Sequence, residues 1–289
     1  MGITGIIGGS GLYDIQGLTA TRWEKVASPF GEPSDALLFG ELDGQPLVFL
    51  PRHGRGHRLS PSEINYRANI DALKRVGVDQ LISVSAVGSL KEHLRPGIFI
   101  LVDQYIDRTH GRENSFFGSG CVAHVSLAHP TCARLNQLIG NMAQEAGIET
   151  VVGGTYLAME GPQFSTQAES ELYRSWNCDV IGMTNMPEAR LAREAEMCYA
   201  SVAMVTDYDC WHPDHDNVSV SQIIRTLLDN AEKAKTLVRR AVPAFGRDEN
   251  AASCACRFAL EHAIITAPDA RDPQLVQRLD AVAGRILNP

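Results

Sequence analysis

Ala203-Met204-Val205-Thr206-Asp207-Tyr208-Asp209-Cys210-Trp211 ends an apolar, β-branched run in two carboxylates spaced two apart, followed by a Cys and a Trp. The run leading into them, residues 198–206, reads as a buried strand. Residues i and i+2 of an extended segment point to the same face, so both acids can reach one ligand from the strand's end. Strand ends are where open α/β sheets bind their ligands. Two acids beside a Trp, where water is sparse, are candidates for holding a proton and donating it.

Outward from this strand, helical and strand-like segments alternate. Residues 4–8 read as a short buried strand entering the turn Gly8-Gly9-Ser10-Gly11. Residues 36–42 and 46–51 read as a hairpin around Asp43-Gly44. Ser60-Pro61-Ser62-Glu63 has the pattern of a helix start, with Ser at the N-cap and Pro at N1, and predicts a helix to Val76 stopped by Gly77. Residues 80–87 form a strand that ends at Gly88. Residues 129–146 are amphipathic up to Gly147, residues 150–159 are strand-like, and Thr166-Gln167-Ala168-Glu169 is a second capping box opening a helix to about Trp176. A short strand over 179–183, a helix over 187–196, and a long helix opened by Ser219-Val220-Ser221-Gln222 and running to about Ala241 follow. Two more helical segments, 252–265 and 273–286, close the chain. The alternation predicts α/β layering, and the hairpin makes the sheet mixed. No break marks a boundary, so residues 1–289 are expected to form a single domain, with 244–289 as a helical C-terminal extension.

The 289 residues are 44% hydrophobic and 21% charged, ordinary values for a globular enzyme. A net charge of −8 disfavours nucleic acid and anionic membranes as partners, though not an anionic substrate in a local basic pocket. The N-terminus lacks the basic region of a signal peptide, and no apolar stretch approaches the ~20 residues of a membrane helix. Seven Cys, scattered apart from Cys254-Ala255-Cys256, point to reduced thiols and a cytoplasmic setting.

Five segments carry candidate chemistry. In Gly8-Gly9-Ser10-Gly11, backbone N–H groups and a hydroxyl can converge on an anion, or the segment is a plain tight turn. A dinucleotide fingerprint fails because position 14 is Asp14, and a Walker A loop fails because no Gly-Lys-Ser/Thr follows. Pro51-Arg52-His53-Gly54-Arg55-Gly56-His57-Arg58 is a basic loop after a strand, suited to oxyanions or simply solvated. Ser83-Val84-Ser85-Ala86-Val87-Gly88-Ser89 ends a strand in small residues that permit close backbone approach. In Met159-Glu160-Gly161-Pro162-Gln163-Phe164-Ser165-Thr166 a rigid turn can set Phe164 against a flat ring, or the Phe packs in the core. Met183-Thr184, before a helix N-terminus, suits an anion, while Met183 packs under a sugar or fills the core. His212-Pro213-Asp214-His215-Asp216 contains metal-type residues, but the loop fixes no i, i+4 pair and no third group supports it, so no metal is expected. There is no Gly-x-Ser-x-Gly elbow.

Together these segments resemble one family, the 5′-methylthioadenosine phosphorylases of the trimeric purine nucleoside phosphorylase superfamily. The resemblance is carried, in collinear order from residue 3 to about 243, by Gly8-Gly9-Ser10-Gly11-Leu12, Pro51-Arg52-His53-Gly54-Arg55, Asn65-Tyr66-Arg67-Ala68-Asn69, Gly88-Ser89-Leu90, Asp103-Gln104-Tyr105-Ile106-Asp107-Arg108-Thr109, Glu160-Gly161-Pro162-Gln163-Phe164-Ser165, Met183-Thr184 and Thr206-Asp207-Tyr208-Asp209-Cys210-Trp211. It implies an α/β fold around a distorted mixed sheet, and phosphorolysis of methylthioadenosine to adenine and 5-methylthioribose 1-phosphate. It further implies a phosphate site of Ser10, Arg52, His53, Ser85, Ala86 and Thr184. Met183 is implied at the ribose, Phe164 and Ser165 as base-site walls, and Asp207 and Asp209 as the purine-binding acids. His124, Val220 and Ile223 match the methylthio pocket, with His124 supplied by a neighbouring subunit. The implied assembly is a homotrimer, alone or paired into a hexamer.

The chemistry agrees with those roles. A purine leaving an anomeric carbon needs a proton at N7, which we assign to Asp207 as the catalytic residue. Asp209 then accepts from the 6-amino group. Phosphate is a co-substrate that needs only positioning, so neither cofactor nor metal is expected. A carboxylate repels a 6-oxo group, and 6-oxopurine enzymes of the superfamily tend to carry Asn or a small residue here, which favours adenine over hypoxanthine. The alternative is a broader adenosine, methylthioinosine or other 6-oxopurine nucleoside phosphorylase. A phosphate-independent nucleosidase and a non-catalytic nucleotide-binding protein are further alternatives. Two departures stand out. Gly182 replaces an Asn that relatives often carry. Cys254-Ala255-Cys256 resembles a C-x-C that forms a disulfide in some thermophilic homologues, the alternative being two free thiols.

Overall fold

The computed structural model describes residues 2–9, 11–213 and 220–288, the side chains of 220–224 excepted. Eleven strands form one mixed sheet. They are β1 (Ile3–Gly8), β2 (Thr19–Glu24), β3 (Leu37–Leu42), β4 (Gln45–Pro51), β5 (Val78–Ser89), β6 (Phe99–Val102), β7 (Gln104–Asp107), β8 (Thr150–Val152), β9 (Thr155–Ala158), β10 (Val180–Gly182) and β11 (Cys198–Tyr208). The helices are α1 (Tyr66–Arg75), α2 (Ala133–Glu145), α3 (Gln167–Ser175), α4 (Asn185–Glu194), α5 (Val220–Gly246), α6 (Pro273–Arg278) and α7 (Asp280–Leu287).

β11 shows why the layers form. Its even positions Cys198, Ala200, Val202 and Met204 enter one hydrophobic core with Leu135 and Ile139 of α2 and Leu237, Val238 and Phe245 of α5. Its odd positions Tyr199, Ala203 and Val205 enter the other, with Ile70 and Leu73 of α1, Ala189 and Ala192 of α4, and Val282 and Ala283 of α7. A strand buried on both faces reads as a continuous apolar run because each alternate residue meets a helix layer.

The sheet forks at β5. β11 runs parallel to it from Gln80 to Ser89 along one side. On the other side β1 pairs in parallel only as far as Ser83, and β10 pairs antiparallel at Gly88 and Ser89. Residues 84–87 therefore face an opening instead of a strand. β1 is also parallel to β4, so β1, β4, β5 and β11 bring their carboxyl ends to one edge. The expected distorted mixed sheet is present, and its distortion makes the opening.

Several local expectations change. Ser60-Pro61-Ser62-Glu63 makes only an isolated turn. Glu63 accepts from the Ser60 N–H (2.9 Å), but Ser62 Oγ is taken by Glu160, and α1 starts later, capped by Asn65 Oδ1 on Ala68 N (3.0 Å). The helix over 129–146 starts at Ala133, because Cys132 is held extended by the Tyr199 carbonyl (2.7 Å). Residues 150–159 split into β8 and β9 at Gly153-Gly154, both with positive φ. Residues 252–265 form a 3-10 turn over Ala255–Phe258 and tight turns rather than a helix, and 273–286 divides into α6 and α7. The Thr166 capping box, the Gly77 and Gly147 stops and the Asp43-Gly44 hairpin turn form as expected. Ser219, at the proposed start of α5, lies outside the described residues.

Candidate active site

The opening in the sheet collects most of the predicted residues. Gly8, ending β1, accepts through its carbonyl from Arg52 N (2.9 Å), which sets the basic loop after β4 beside the glycine turn. A side chain at Gly9 or Gly11 would meet open space, so the turn has room for a ligand. Ser10 itself lies outside the described residues. Ala86 is exposed in the middle of a strand whose neighbours Ser85 and Val87 are buried, because it lies where β5 lacks a strand partner. β10 runs antiparallel to β5, so the chain leaving Gly182 passes back along the opening. Ser85 Oγ meets Asn185 Oδ1 there at 3.2 Å, and buried Thr184 stands at the N-cap of α4.

Beneath the opening is a buried polar network. Arg52, 2% exposed, donates through Nε and Nη2 to Glu188 (2.9 and 3.2 Å), through Nη1 to Val84 O (2.9 Å) and through Nη2 to Ser83 Oγ (2.6 Å). Glu188, raised into place by α4, also accepts from Tyr199 Oη (2.9 Å). Asn185 donates to the Tyr105, Tyr199 and Ser201 hydroxyls. Two buried charges are tolerated only when paired and hydrogen-bonded, and here both are. Burial and Glu188 act against each other on Arg52, and the carboxylate keeps the guanidinium charged. The network ties Arg52 to β5, β11 and α4 at once, a rigid floor under Ser85 and Ala86.

His53 sits half-buried above it. Its ring Nδ1 donates to Leu59 O (2.9 Å) and the ring stacks on His57 at 4.2 Å. Burial, with help from the Arg52 charge, pushes its pKa down to about 4, so the ring is neutral at pH 7. A neutral imidazole with its proton on Nδ1 leaves Nε2 as an acceptor.

The acids close the other side. A bulge between Val205 and Asp207 re-aims the end of β11, with Asp207 opposite Gly88. Asp207 is half-buried and its Oδ1 accepts from Thr206 Oγ1 (2.6 Å). Asp209 is buried, its N–H donating to Ser89 O (3.0 Å). Gly88 lets the two segments pack closely, since a Cβ there would lie tight against Ile181 Cγ2 at 3.2 Å and in contact with Asp209 Cβ at 3.5 Å. Asp209 Oδ2 is buried with no partner among the described residues. A buried carboxylate oxygen without a donor is costly, so the arrangement suits a ligand N–H. Trp211 Nε1 donates to Ser89 O (2.8 Å) and the Arg174 guanidinium covers its ring at 3.7 Å, which locks the segment after the acids.

The loop 159–166 reaches this corner, as Cys210 Sγ donates to Ser165 O (3.4 Å) and Ser165 Oγ lies 3.7 Å from Met159 Sδ. Phe164 is 84% exposed. The turn Gly161-Pro162 is cis, with Gly161 at positive φ against the Met183 thioether. A residue missed from sequence fixes both strands of this corner. Arg112, 2% exposed in its side chain, donates to Met183 O (2.6 Å), Met186 O (2.8 Å), Glu160 O (2.7 Å) and Tyr66 Oη (3.2 Å) and pairs with Glu160 Oε1. No local pattern around Arg112 signals this, because its partners lie 46 to 74 residues away in sequence. Glu188 falls within the helix expected over 187–196, but its role needs Arg52, 136 residues distant.

The space at Gly182 is filled. A side chain there would overlap the Tyr156 hydroxyl, which also receives the Thr184 N–H (3.5 Å). The polar group missing at 182 is thus replaced locally by a tyrosine from β9. His124 is exposed on the segment that pairs with Ile264 of the tail, its N–H donating to Ala263 O (2.8 Å), rather than in the loops around the strand ends. The side chains of Val220 and Ile223, and residues 214–216 of the metal-type loop, lie outside the described residues.

Residues 3–243 match the model of the phosphorylase superfamily. The chain is 61% identical to an S-methyl-5′-thioadenosine phosphorylase of Cereibacter sphaeroides over 98% of both sequences, and 61% identical to one of Bradyrhizobium diazoefficiens over 99% of this chain and 98% of that one. Among solved structures, a methylthioadenosine phosphorylase from an antarctic soil metagenomic library superposes with a TM-score of 0.93 at 47% identity, covering 96% of this chain and 98% of its own. A methylthioadenosine phosphorylase of Schistosoma mansoni in complex with adenine superposes with a TM-score of 0.82 at 35% identity, covering 90% and 97%.

Proposed function

The chain belongs to the S-methyl-5′-thioadenosine phosphorylases of the phosphorylase superfamily, and we infer from its site how it cleaves 5′-methylthioadenosine with inorganic phosphate. The products are adenine and 5-methylthioribose 1-phosphate. Phosphate is held between the Gly8–Gly11 turn with Ser10, the Arg52 and His53 loop, Ser85 and Ala86, and Thr184. One phosphate oxygen forms the bond to the anomeric carbon as the bond to purine N9 breaks. The hydrogen on the phosphate passes to neutral His53 Nε2 or solvent, and Asp207 delivers a proton to N7, so the base departs neutral. Met183 lies under the ribose and Phe164 and Ser165 against the base. No cofactor or catalytic metal enters, because the nucleophile is already anionic.

The observation that carries this reading is the buried Asp209 Oδ2, without a partner among the described residues, across the opening from the anion loops. It supports a 6-amino group as its donor and adenine as the base. The test is release of free base from methylthioadenosine, methylthioinosine, adenosine and inosine, each with and without phosphate. We expect phosphate-dependent turnover, fastest with methylthioadenosine. Faster methylthioinosine turnover would reverse the choice of base, and turnover without phosphate would remove the anion site from the mechanism.

The active unit in this proposal is a homotrimer in which His124, with Val220 and Ile223, completes the methylthio pocket of a neighbour, whether or not trimers pair into hexamers. The exposure of His124 and Phe164 on the single chain supports it. No helix among the described residues is long and apolar enough to cross a membrane. Seven free thiols support a cytoplasmic setting.

A further inference from the structure

Four cysteines from three distant parts of the chain meet at the amino end of β11. Cys132 caps α2, Cys198 begins β11, and Cys254 and Cys256 stand at the 3-10 turn of the tail. Their sulfurs all lie within 4.8 Å of one another, and Cys132 Sγ is 3.6 Å from Cys254 Sγ. Cys132, Cys198 and Cys256 are buried and Cys254 is half-buried. A tetrahedral Zn–S bond of ~2.3 Å separates its sulfurs by ~3.8 Å, so the four groups need only small rotations to enclose an ion.

The surroundings match the charge such a site would carry. Four thiolates on a divalent ion leave a net charge of −2, with four protons released on binding. Arg134, in the first turn of α2 next to Cys132, lies within electrostatic reach of Cys198, and Arg193 lies within reach of Cys256. The Nε–H groups of Arg134 and Arg193 are both buried without a partner among the described residues. Arg134 also pairs with Asp248, while Arg193 donates to the His129 and Thr131 carbonyls, so a tetrathiolate metal centre would add a counter-charge beside Arg193 and an acceptor for both Nε–H groups.

We propose that Cys132, Cys198, Cys254 and Cys256 form a structural site for zinc, or another thiophilic divalent ion, that staples the C-terminal segment to the sheet. Four protein ligands close the tetrahedron and leave no position for water or substrate, which makes the site structural rather than catalytic. It also stands at the far end of β11 from Asp207, nine residues away, or ~30 Å at strand rise. The metal-type residues that stand together in the sequence are those of the loop 212–216, where no metal is expected. The sulfurs escape such reading because only Cys254 and Cys256 are neighbours in the chain.

The experiment is metal analysis of the full-length protein purified from zinc-supplemented cells without chelator, joined to non-reducing mass spectrometry of alkylated cysteines. We expect about one zinc per chain, the stoichiometry of a single closed site, all four sulfurs reduced, and a tetrathiolate charge-transfer spectrum when cobalt(II) replaces the zinc. Cys254→Ser and Cys256→Ser should lose the metal while Cys121→Ala keeps it. Should the serine variants fail to fold, the wild-type stoichiometry and cobalt spectrum still decide. Folded wild-type protein without metal, or with Cys132, Cys198, Cys254 and Cys256 joined in disulfides, overturns the proposal.

Discussion

Asp207 and Asp209 differ in what surrounds them, and that difference separates their work. Asp207 is half-buried with a hydroxyl on one oxygen, whereas Asp209 is buried with one oxygen unmet. We predict that Asp207→Asn lowers kcat by about 10²–10⁴, the worth of a positioned proton donor, with an unchanged circular dichroism spectrum; near-normal turnover would reject it as the donor. Asp209→Asn presents a donor to the base, and should raise the methylthioinosine-to-methylthioadenosine ratio of kcat/KM about tenfold, or 1.4 kcal/mol. Two other residues set opposing pH dependences of stability. His53, pushed from 6.5 down to about 4, is tolerated neutral, so its contribution is complete above pH 6.5 and lost as pH falls toward 4. Glu194 is pushed by burial from 4.5 up to about 7, against the Ser115 hydroxyl and Phe116 N–H that favour its charge. Its protonated form is the preferred one, so stability from this group is present below pH 4.5 and lost as pH rises to about 7. Glu194→Gln should therefore gain on wild type between pH 4.5 and 8 when denaturant midpoints are compared, and a constant gap would contradict the assignment.

At the scale of elements, the site depends on two close approaches between strands and loops. β10 lies against β9 with the Tyr156 hydroxyl in the space a Gly182 side chain would need. Gly182→Ala overpacks that contact and should cost about 1–3 kcal/mol, read as a lower denaturant midpoint, with partial recovery when Tyr156→Phe is added. The loops after β9 and β10 are joined through Arg112, whose partners are mostly backbone carbonyls. Arg112→Met leaves those carbonyls without their donor and Glu160 without its cation, and we expect it to raise KM for nucleoside more than it lowers kcat. A pure loss of folded protein, with normal KM in what remains, would show Arg112 to be structural alone. Local signals served the elements unevenly. The Thr166 capping box and the Gly77 stop were legible because every group involved is within four residues. The same pattern at Ser60 misled because the Glu63 N–H meets the Ser60 carbonyl at 3.1 Å and closes a turn, while Asn65 caps the helix.

For the whole molecule, the prediction concerns assembly. If a neighbour supplies His124, then His124→Ala and Asp207→Asn subunits, each defective alone, should recover activity when unfolded together and reassembled. Random mixing in a closed ring pairs an intact acid with an intact neighbour in about a quarter of the sites. No recovery, in a mixture whose mass by light scattering is that of a trimer, would place His124 outside the pocket.

The sequence by itself determined the α/β layering, the buried strand ending in Asp207 and Asp209, and the identity of most loops at the opening. Those features rest on period-2 burial, glycine stops and residue types that act within a few positions of one another. Only the tertiary structure decided where the sheet forks, which carboxylate oxygen is left without a donor, that Arg52 rests on Glu188, that Arg112 joins two loops, and that four sulfurs meet at the start of β11. Each of those depends on groups brought together from distant parts of the chain, whose distances are set by packing of the layers and not by any local preference of the residues themselves.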